Sequence, residues 1–409
     1  MRFTSFVGVA AFAAVLASCS MASMNIVTLP DAVVKMGAMC MDGSPAAYYF
    51  RAASSPENAT KWVLFFQGGG WCYKEEECAV RAPTHRGSSK YMPTTIDEGG
   101  MMSEDPNENP DFCSWNHVVF AYCDGASFTG AADEPIVVGN QTVYFRGYYN
   151  LKAIMNDLLD KRGMDRATEV LLSGASAGGL SAFIHADQIG EMLPSTVKRY
   201  KAAPGSGLFM MHNNVYDEPV FEDEMRHVFA MQNSSAGVDP HCLLAKSPMY
   251  MYLCLFGAET IRSTQTPMFV MNSIYDSWAT SCIMTAEPEA PSATTDDGNC
   301  SAAPGWYDCM SSLSCTDEQW NEFNTKWGDD FRSMIKSDGF CNRGNGMFAY
   351  SCHYHVAETI GFWNRITING VTMHEAFIKW YLSNDEDASK HTYVDCRING
   401  NFLCNPTCA

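Results

Sequence analysis

Residues 169–187, EVLLSGASAGGLSAFIHAD, constrain the fold of this chain more than any other segment. A short apolar run leads into Gly174-Ala175-Ser176-Ala177-Gly178, and a helix-like stretch from Ala177 to Ile189 follows. The pattern predicts a strand over 169–174, a tight turn and a helix. Glycines on both sides of Ser176 let the strand and helix backbones approach where a side chain would obstruct them. Gly179 adds a further close-packing position. A serine in such a turn is held exposed at the top of a sheet, and the N-terminus of the next helix favours negative charge developing beside it. The pentapeptide alone also fits an ordinary glycine turn. The strand and helix on either side make Ser176 a candidate nucleophile.

Other segments extend this unit into an α/β pattern. KWVLFFQ at 61–67 and HVVFAY at 117–122 read as buried strands, ending at Gly68-Gly69-Gly70 and Cys123-Asp124-Gly125. The Pro-, Gly-, Ser- and acid-rich stretch between them reads as surface loop. Leu151, Ile154, Met155, Leu158 and Leu159 recur at helical spacing, with Gly163 as a stop. Segments 197–203 and 267–278 supply further strands, the latter followed by a polar turn. Residues 284–305 form an excursion with cysteines on both sides. Residues 317–338 suggest a helix with Trp320, Phe323, Trp327, Phe331 and Ile335 along one side. Strands alternating with helices imply a mostly parallel sheet covered on both faces. The expected architecture is a three-layer α/β-hydrolase-like sandwich with long disulfide-pinned loops.

The N-terminus indicates export. Arg2, an apolar run from Phe6 to Ala17 and then small residues read as a signal peptide over 1–22, cleaved after Ser18 or Ala22. Residues 23–409 then form one catalytic domain, expected outside the cell or in the cell wall. Leu16-Ala17-Ser18-Cys19 also matches a bacterial lipidation box, which would tether the protein through Cys19. No stretch offers about 20 apolar residues for a membrane span. Of 17 cysteines, removing Cys19 leaves 16, enough for eight disulfides in a secreted chain. Without paired C-x-x-C spacing, neither structural zinc nor thioredoxin-like chemistry is expected. N-x-S/T sequons begin at Asn58, Asn140, Asn233 and Asn299, Asn299 being the weakest because Cys300 follows it. With 46 Asp and Glu against 27 Lys and Arg, the net charge of -19 argues against a nucleic-acid partner. A monomer is the expected state.

A serine nucleophile needs a base, and the base needs an orienting acid. The α/β-hydrolase chain order is serine, acid, histidine. Asp276 stands in a turn after an apolar strand, a suitable place for the acid. His353 and His355 flank Tyr354 after Cys352; on an extended chain both point the same way, so either can serve as base. Their spacing also suits a metal, but no third ligand pattern accompanies them. Oxyanion donors are expected from Ala177 and from the glycine-rich FFQGGGWC loop, through Gly69, Gly70 and Trp71. No G-K-S/T follows these glycines, which excludes a phosphate loop. Asp124, Trp278 and His353 are candidates for substrate contact. Trp71, Trp115 and Trp278 suit either sugar stacking or the core.

These pieces resemble the pectin acetylesterase and Notum family of secreted carboxylesterases. The matching blocks are CMDGSPAAYYF (40–50), WVLFFQGGGWC (62–72), YCDGASFTG (122–130), LLSGASAGGLSAFIHAD (171–187), NSIYDSW (272–278) and YSCHYHVAE (350–358). The resemblance implies Ser176 as nucleophile, Asp276 as acid and His355, rather than His353, as base. It implies oxyanion donors at Gly70, Trp71 and Ala177, and no metal or organic cofactor. Ala175 stands where plant members usually carry cysteine, and Ala279 where the family usually has glutamine. The substrate it implies is an acetylated polysaccharide such as pectin. The alternatives are fatty-acyl removal from a secreted protein, and an inactive secreted carbohydrate-binding protein.

Overall fold

The apolar runs form the middle of a ten-stranded sheet in the computed structural model, which describes residues 23–287, 300, 302–340, 344–384, 387–397 and 404–408. Its strands are β1 (Met24–Thr28), β2 (Ala47–Arg51), β3 (Lys61–Phe66), β4 (Thr95–Ile96), β5 (Asn116–Phe120), β6 (Glu169–Ala175), β7 (Arg199–Gly205), β8 (Phe269–Ser273), β9 (Gly346–Tyr350) and β10 (Thr392–Val394). The spatial order is β10-β9-β8-β7-β6-β3-β5-β2-β1-β4. From β10 to β5 all neighbours are parallel, and β2, β1 and β4 continue the sheet antiparallel.

Alternate side chains of one strand feed opposite cores. Leu64, Phe66, Val118, Phe120, Val170 and Leu172 meet Leu151, Ile154 and Leu158 of α1 (Gly147–Lys161) and Leu180 and Ile184 of α2 (Ala177–Met192). Val63, Phe65, Val119, Leu171, Phe269 and Phe348 meet Phe377 and Trp380 of α3 (Met373–Leu382). Burial on both faces explains why these strands read as unbroken apolar runs. Each such side chain contributes about 1.5–3 kcal/mol through burial. The result is the expected three-layer sandwich.

Two segments differ from their sequence readings. The stretch between β3 and β5 is more than surface loop: Met101, Met102, Phe112 and Trp115 are buried in the second core. Its abundant acids and glycines mask these separated apolar anchors. The expected helix over 317–338 is helical at Asp317–Asn321 and Asp329–Met334 but widens to a π-turn over Glu322–Gly328. That widening keeps Trp320, Phe323, Trp327 and Phe331 buried together, with Tyr275 stacked on Phe323.

Among the described residues seven disulfides join Cys40–Cys123, Cys72–Cys78, Cys242–Cys254, Cys282–Cys300, Cys309–Cys315, Cys352–Cys408 and Cys396–Cys404, and Cys113 is also disulfide-bonded. Cys72–Cys78, Cys40–Cys123 and Cys352–Cys408 pin the segments that follow β3, β5 and β9. Among the described residues no helix is long and apolar enough to cross a membrane. The proposed signal peptide, Cys19 and the Asn299 sequon lie outside the described residues. Asn58 is a poor glycan acceptor, because its buried amide donates to Ser55 and Ser114 hydroxyls. Asn140 is exposed.

Candidate active site

The glycines around Ser176 are explained by contact distances. A Cβ on Gly178 would lie 2.0 Å from the Phe66 carbonyl oxygen, and one on Gly174 would lie 2.2 Å from the Gly178 oxygen. A Cβ on Gly179 would meet the Gly205 oxygen at 2.1 Å. The turn between β6 and α2 is therefore closed backbone to backbone. Ser176 sits there at φ 59°, ψ -129°, a conformation costing roughly 1–3 kcal/mol for a non-glycine residue. Its N–H donates to Gly205 O at 3.1 Å, which fixes it to the end of β7. Ala177 is the first residue of the 16-residue α2, so its N–H has no carbonyl partner within the helix.

Asp276 follows β8 and caps a single turn of helix. Its Oδ1 accepts from the Trp278 and Ala279 N–H groups, both at 3.0 Å. Its Oδ2 lies 2.8 Å from His355 Nδ1. A carboxylate only accepts, so Nδ1 donates and Nε2 is left to accept a proton. Burial pulls the His355 pKa down, but the charge and hydrogen bond of Asp276 and the charge of Glu358 together outweigh it, and the net shift is upward. Ser176 and His355 line one cavity. Among the described residues no hydrogen bond joins them, a bond that in ligand-free hydrolases is often long and tightens with substrate.

His353 takes a different place. Its Nε2 lies 3.2 Å from Thr280 Oγ1 and its ring packs on Phe323. Burial lowers its pKa to about 4, against a smaller raising effect of Asp276. The Tyr354 N–H bonds to Cys352 O at 2.8 Å, so this segment is turned rather than extended, and the two histidines separate. Neither belongs to a three-residue cluster of metal-ligating type among the described residues.

The glycine loop after β3 lies across from Ser176. The Gly69 carbonyl accepts from Arg81 Nη2 and the Gly70 carbonyl from the Tyr122 hydroxyl, each at 2.7 Å. Both peptides are trans, as are all among the described residues, so each pinned carbonyl turns the N–H of its own peptide, that of Gly70 or Trp71, to the opposite side. Neither N–H is used in a hydrogen bond among the described residues. Ser127 ties the parts together: it accepts from Trp71 Nε1 at 2.9 Å and donates to Ala177 O at 2.8 Å. Its N–H donates to Tyr122 Oη at 3.0 Å.

The shared cavity measures about 320 Å³. Its lining includes Gly68, Gly69 and Gly70, Ser176, Trp278 and His355, with Arg86 and Glu98 as its other charged members. Trp278 also meets Trp71 and Phe209 edge-on, which fills the adjoining space with aromatic rings.

Not every candidate contact residue reaches this cavity. Asp124 is 1% exposed and does not line it. Its Oδ2 accepts from the Ala126 and Phe128 N–H groups, folding the carboxylate into its own loop, and burial raises its pKa to about 6. Trp115 belongs to the core on the other face of the sheet, and the Trp71 side chain is buried. Sequence reading missed Arg81, Tyr122 and Ser127, which hold the glycine loop. It also missed Arg86 and Glu98. The DGASF run after Asp124 carried a legible signal, an Asp able to bond N–H groups two and four residues on.

With this geometry in hand, comparisons with known proteins are specific. The chain is 31% identical over 390 residues to pectin acetylesterase 11 of Arabidopsis thaliana, covering 93% of this chain and 92% of the relative. Pectin acetylesterase 5 of the same plant is 30% identical, covering 93% and 84%. Mouse palmitoleoyl-protein carboxylesterase NOTUM is 25% identical, covering 95% and 74%. The crystal structure of the Wnt deacylase Notum from Drosophila superposes with a TM-score of 0.73 at 23% identity, over 95% of this chain and all of that one, which shows a shared fold. The Pectinacetylesterase family model matches residues 18–409, and this chain belongs to that family of carboxylic ester hydrolases.

Proposed function

We propose that this chain is a secreted serine carboxylesterase that removes O-acetyl groups from pectin or a related cell-wall polysaccharide. One observation carries the reading: Ser176, strained at a helix N-terminus, shares a cavity with His355, which Asp276 holds at 2.8 Å. His355 Nε2 takes the Ser176 proton as the oxygen attacks the ester carbonyl. Asp276 keeps the imidazole in the required tautomer and stabilises its cation. The Gly70, Trp71 and Ala177 N–H groups receive the developing oxyanion, each such donor being worth about 2.7–4 kcal/mol. His355 returns the proton to the leaving alkoxide. Water then attacks the acyl-Ser176 carbonyl as His355 takes its proton; the Ser176–acyl bond breaks, His355 returns the proton to Ser176 Oγ, and the acid is released.

The cavity supports a short acyl group. Its volume is near the low end of ligand pockets, roughly 300–1,000 Å³, and Gln67, Arg86, Glu98 and Thr359 make its wall partly polar. A fatty chain needs a long apolar channel. Here Trp71, Trp278, Phe209 and Phe221 fill the neighbouring space by packing on one another.

Acetate release from acetylated pectin and xylan, alongside hydrolysis of 4-nitrophenyl acetate and octanoate, tests this proposal. Acetate release and a preference for the acetate ester are expected, both absent in Ser176→Ala. Octanoate preference would instead support removal of a fatty acyl group. Activity no greater than that of Ser176→Ala on every substrate would support the binding-protein alternative.

The oxyanion assignment makes its own prediction. Tyr122→Phe removes the hydroxyl that fixes the Gly70 carbonyl and so loosens the Trp71 N–H. The expected loss is about 10-fold in kcat, a fraction of the roughly 10²–10³ for deleting a whole donor, with KM for 4-nitrophenyl acetate nearly unchanged. Unaltered kcat would remove Tyr122 from the account.

A further inference from the structure

Glu358 stands three residues after His355 and is fully buried. Its Oε2 accepts from Ser206 Oγ at 3.0 Å. The same Ser206 oxygen accepts at 3.0 Å from the N–H of Val356, the residue next to His355. Two glycines make room for this arrangement. A Cβ on Gly205 would lie 2.4 Å from Glu358 Oε1, and one on Gly100 would lie 1.9 Å from the Glu358 carbonyl oxygen. Gly205 is also the residue whose carbonyl holds the Ser176 N–H. The carboxyl is therefore wedged between the end of β7, whose Gly205 carbonyl accepts the Ser176 N–H, and the loop that carries the imidazole. Oε1 has no hydrogen-bond partner among the described residues.

We propose, building on the esterase reading, that Glu358 is a positioning residue for His355, tethering its loop through Ser206 and stabilising the imidazolium through its own negative charge. The titratable groups facing it are His355 on its own loop, Asp276 after β8 and Tyr350 at the end of β9. Burial raises the Glu358 carboxyl to about 7; the His355 charge and the Ser206 bond oppose that rise, and Asp276 adds to it. Glu358 thus gains its charge near neutrality. In turn, its charge raises the His355 pKa. The two groups titrate as a coupled pair.

The sign of a test follows. Glu358→Gln keeps an oxygen for Ser206 and removes the charge, so the His355 pKa falls. NMR titration of the His355 ring reads this without requiring turnover. The expected drop is about half a unit to one unit, and the acid limb of kcat/KM on 4-nitrophenyl acetate moves down in pH by the same amount. Ser206→Ala cuts the tether but keeps the carboxyl; it is expected to lower kcat several-fold and to move the acid limb less than Glu358→Gln does. The wild-type protein gives a reading even if Glu358→Gln fails to fold. Its Glu358 carboxyl ¹³C signal is expected to titrate near neutrality, with a matching step in the His355 ring signal. A His355 ring signal that shows no step as the Glu358 carboxyl titrates would overturn the proposal. So would an unchanged His355 pKa in folded Glu358→Gln. A His355 pKa that falls in a protein with no activity beyond Ser176→Ala would retain the Glu358–His355 coupling and remove the esterase reading.

Discussion

Asp276→Asn is expected to lower kcat on 4-nitrophenyl acetate by about 10⁴ and to leave the fold intact. The asparagine oxygen can still accept from the Trp278 and Ala279 N–H groups, so the turn after β8 keeps its cap. The other atom becomes an amide NH₂ where Oδ2 faced His355 Nδ1 at 2.8 Å. Two donors cannot share that contact. The imidazole would shift its proton to Nε2, the atom that takes the Ser176 proton in the proposed mechanism. Steady-state kinetics with circular dichroism separate this loss from unfolding. A loss below about 10-fold, with His355 still in place, would mean that the tautomer is set by something other than Asp276.

Ser176→Ala should cost about 10⁴-fold or more. The Cβ and backbone are unchanged, so the turn closed by Gly174 and Gly178 persists. Any residual rate would come from binding and from the Gly70, Trp71 and Ala177 donors acting on a water attack. In the wild type, kcat/KM should fall at low pH with an apparent pKa above the ordinary histidine value of about 6.5, because Asp276 and Glu358 together outweigh burial and raise His355. The Ser176→Ala residue of activity should lack that limb. A substantial esterase rate in Ser176→Ala would assign the nucleophile elsewhere.

The strands that position these groups were legible for a physical reason. β3, β5 and β6 are buried on both faces, so they appear as apolar runs whose ends mark the glycine loop, Asp124 and Ser176. β1 and β2 were missed because they lie toward one edge of the sheet and carry mixed sequences, MNIVT and AYYFR. The Asp276–His355 pair spans 79 residues, and spacing alone left His353 as an equal choice. The tight turn at Cys352–Tyr354 separates the two rings, and turns of that kind depend on tertiary restraint such as Cys352–Cys408. Arg81, Tyr122 and Glu358 act through burial and through bonds to distant backbone. A local pattern carries no trace of such bonds. For Asp124 a strand end suggests a ligand contact, whereas burial and its bonds to N–H groups of its own loop are set by the fold.

Covalent labelling tests most directly whether Ser176 is activated by His355 and Asp276. The protein would be treated with a fluorophosphonate and its peptides mapped by mass spectrometry. The expected result is one phosphonyl group on Ser176 in the wild type, and none at the same dose in folded His355→Ala or Asp276→Asn. A wild-type protein that hydrolyses acetyl esters while Ser176 stays unmodified, or that is labelled equally without His355, would contradict the account.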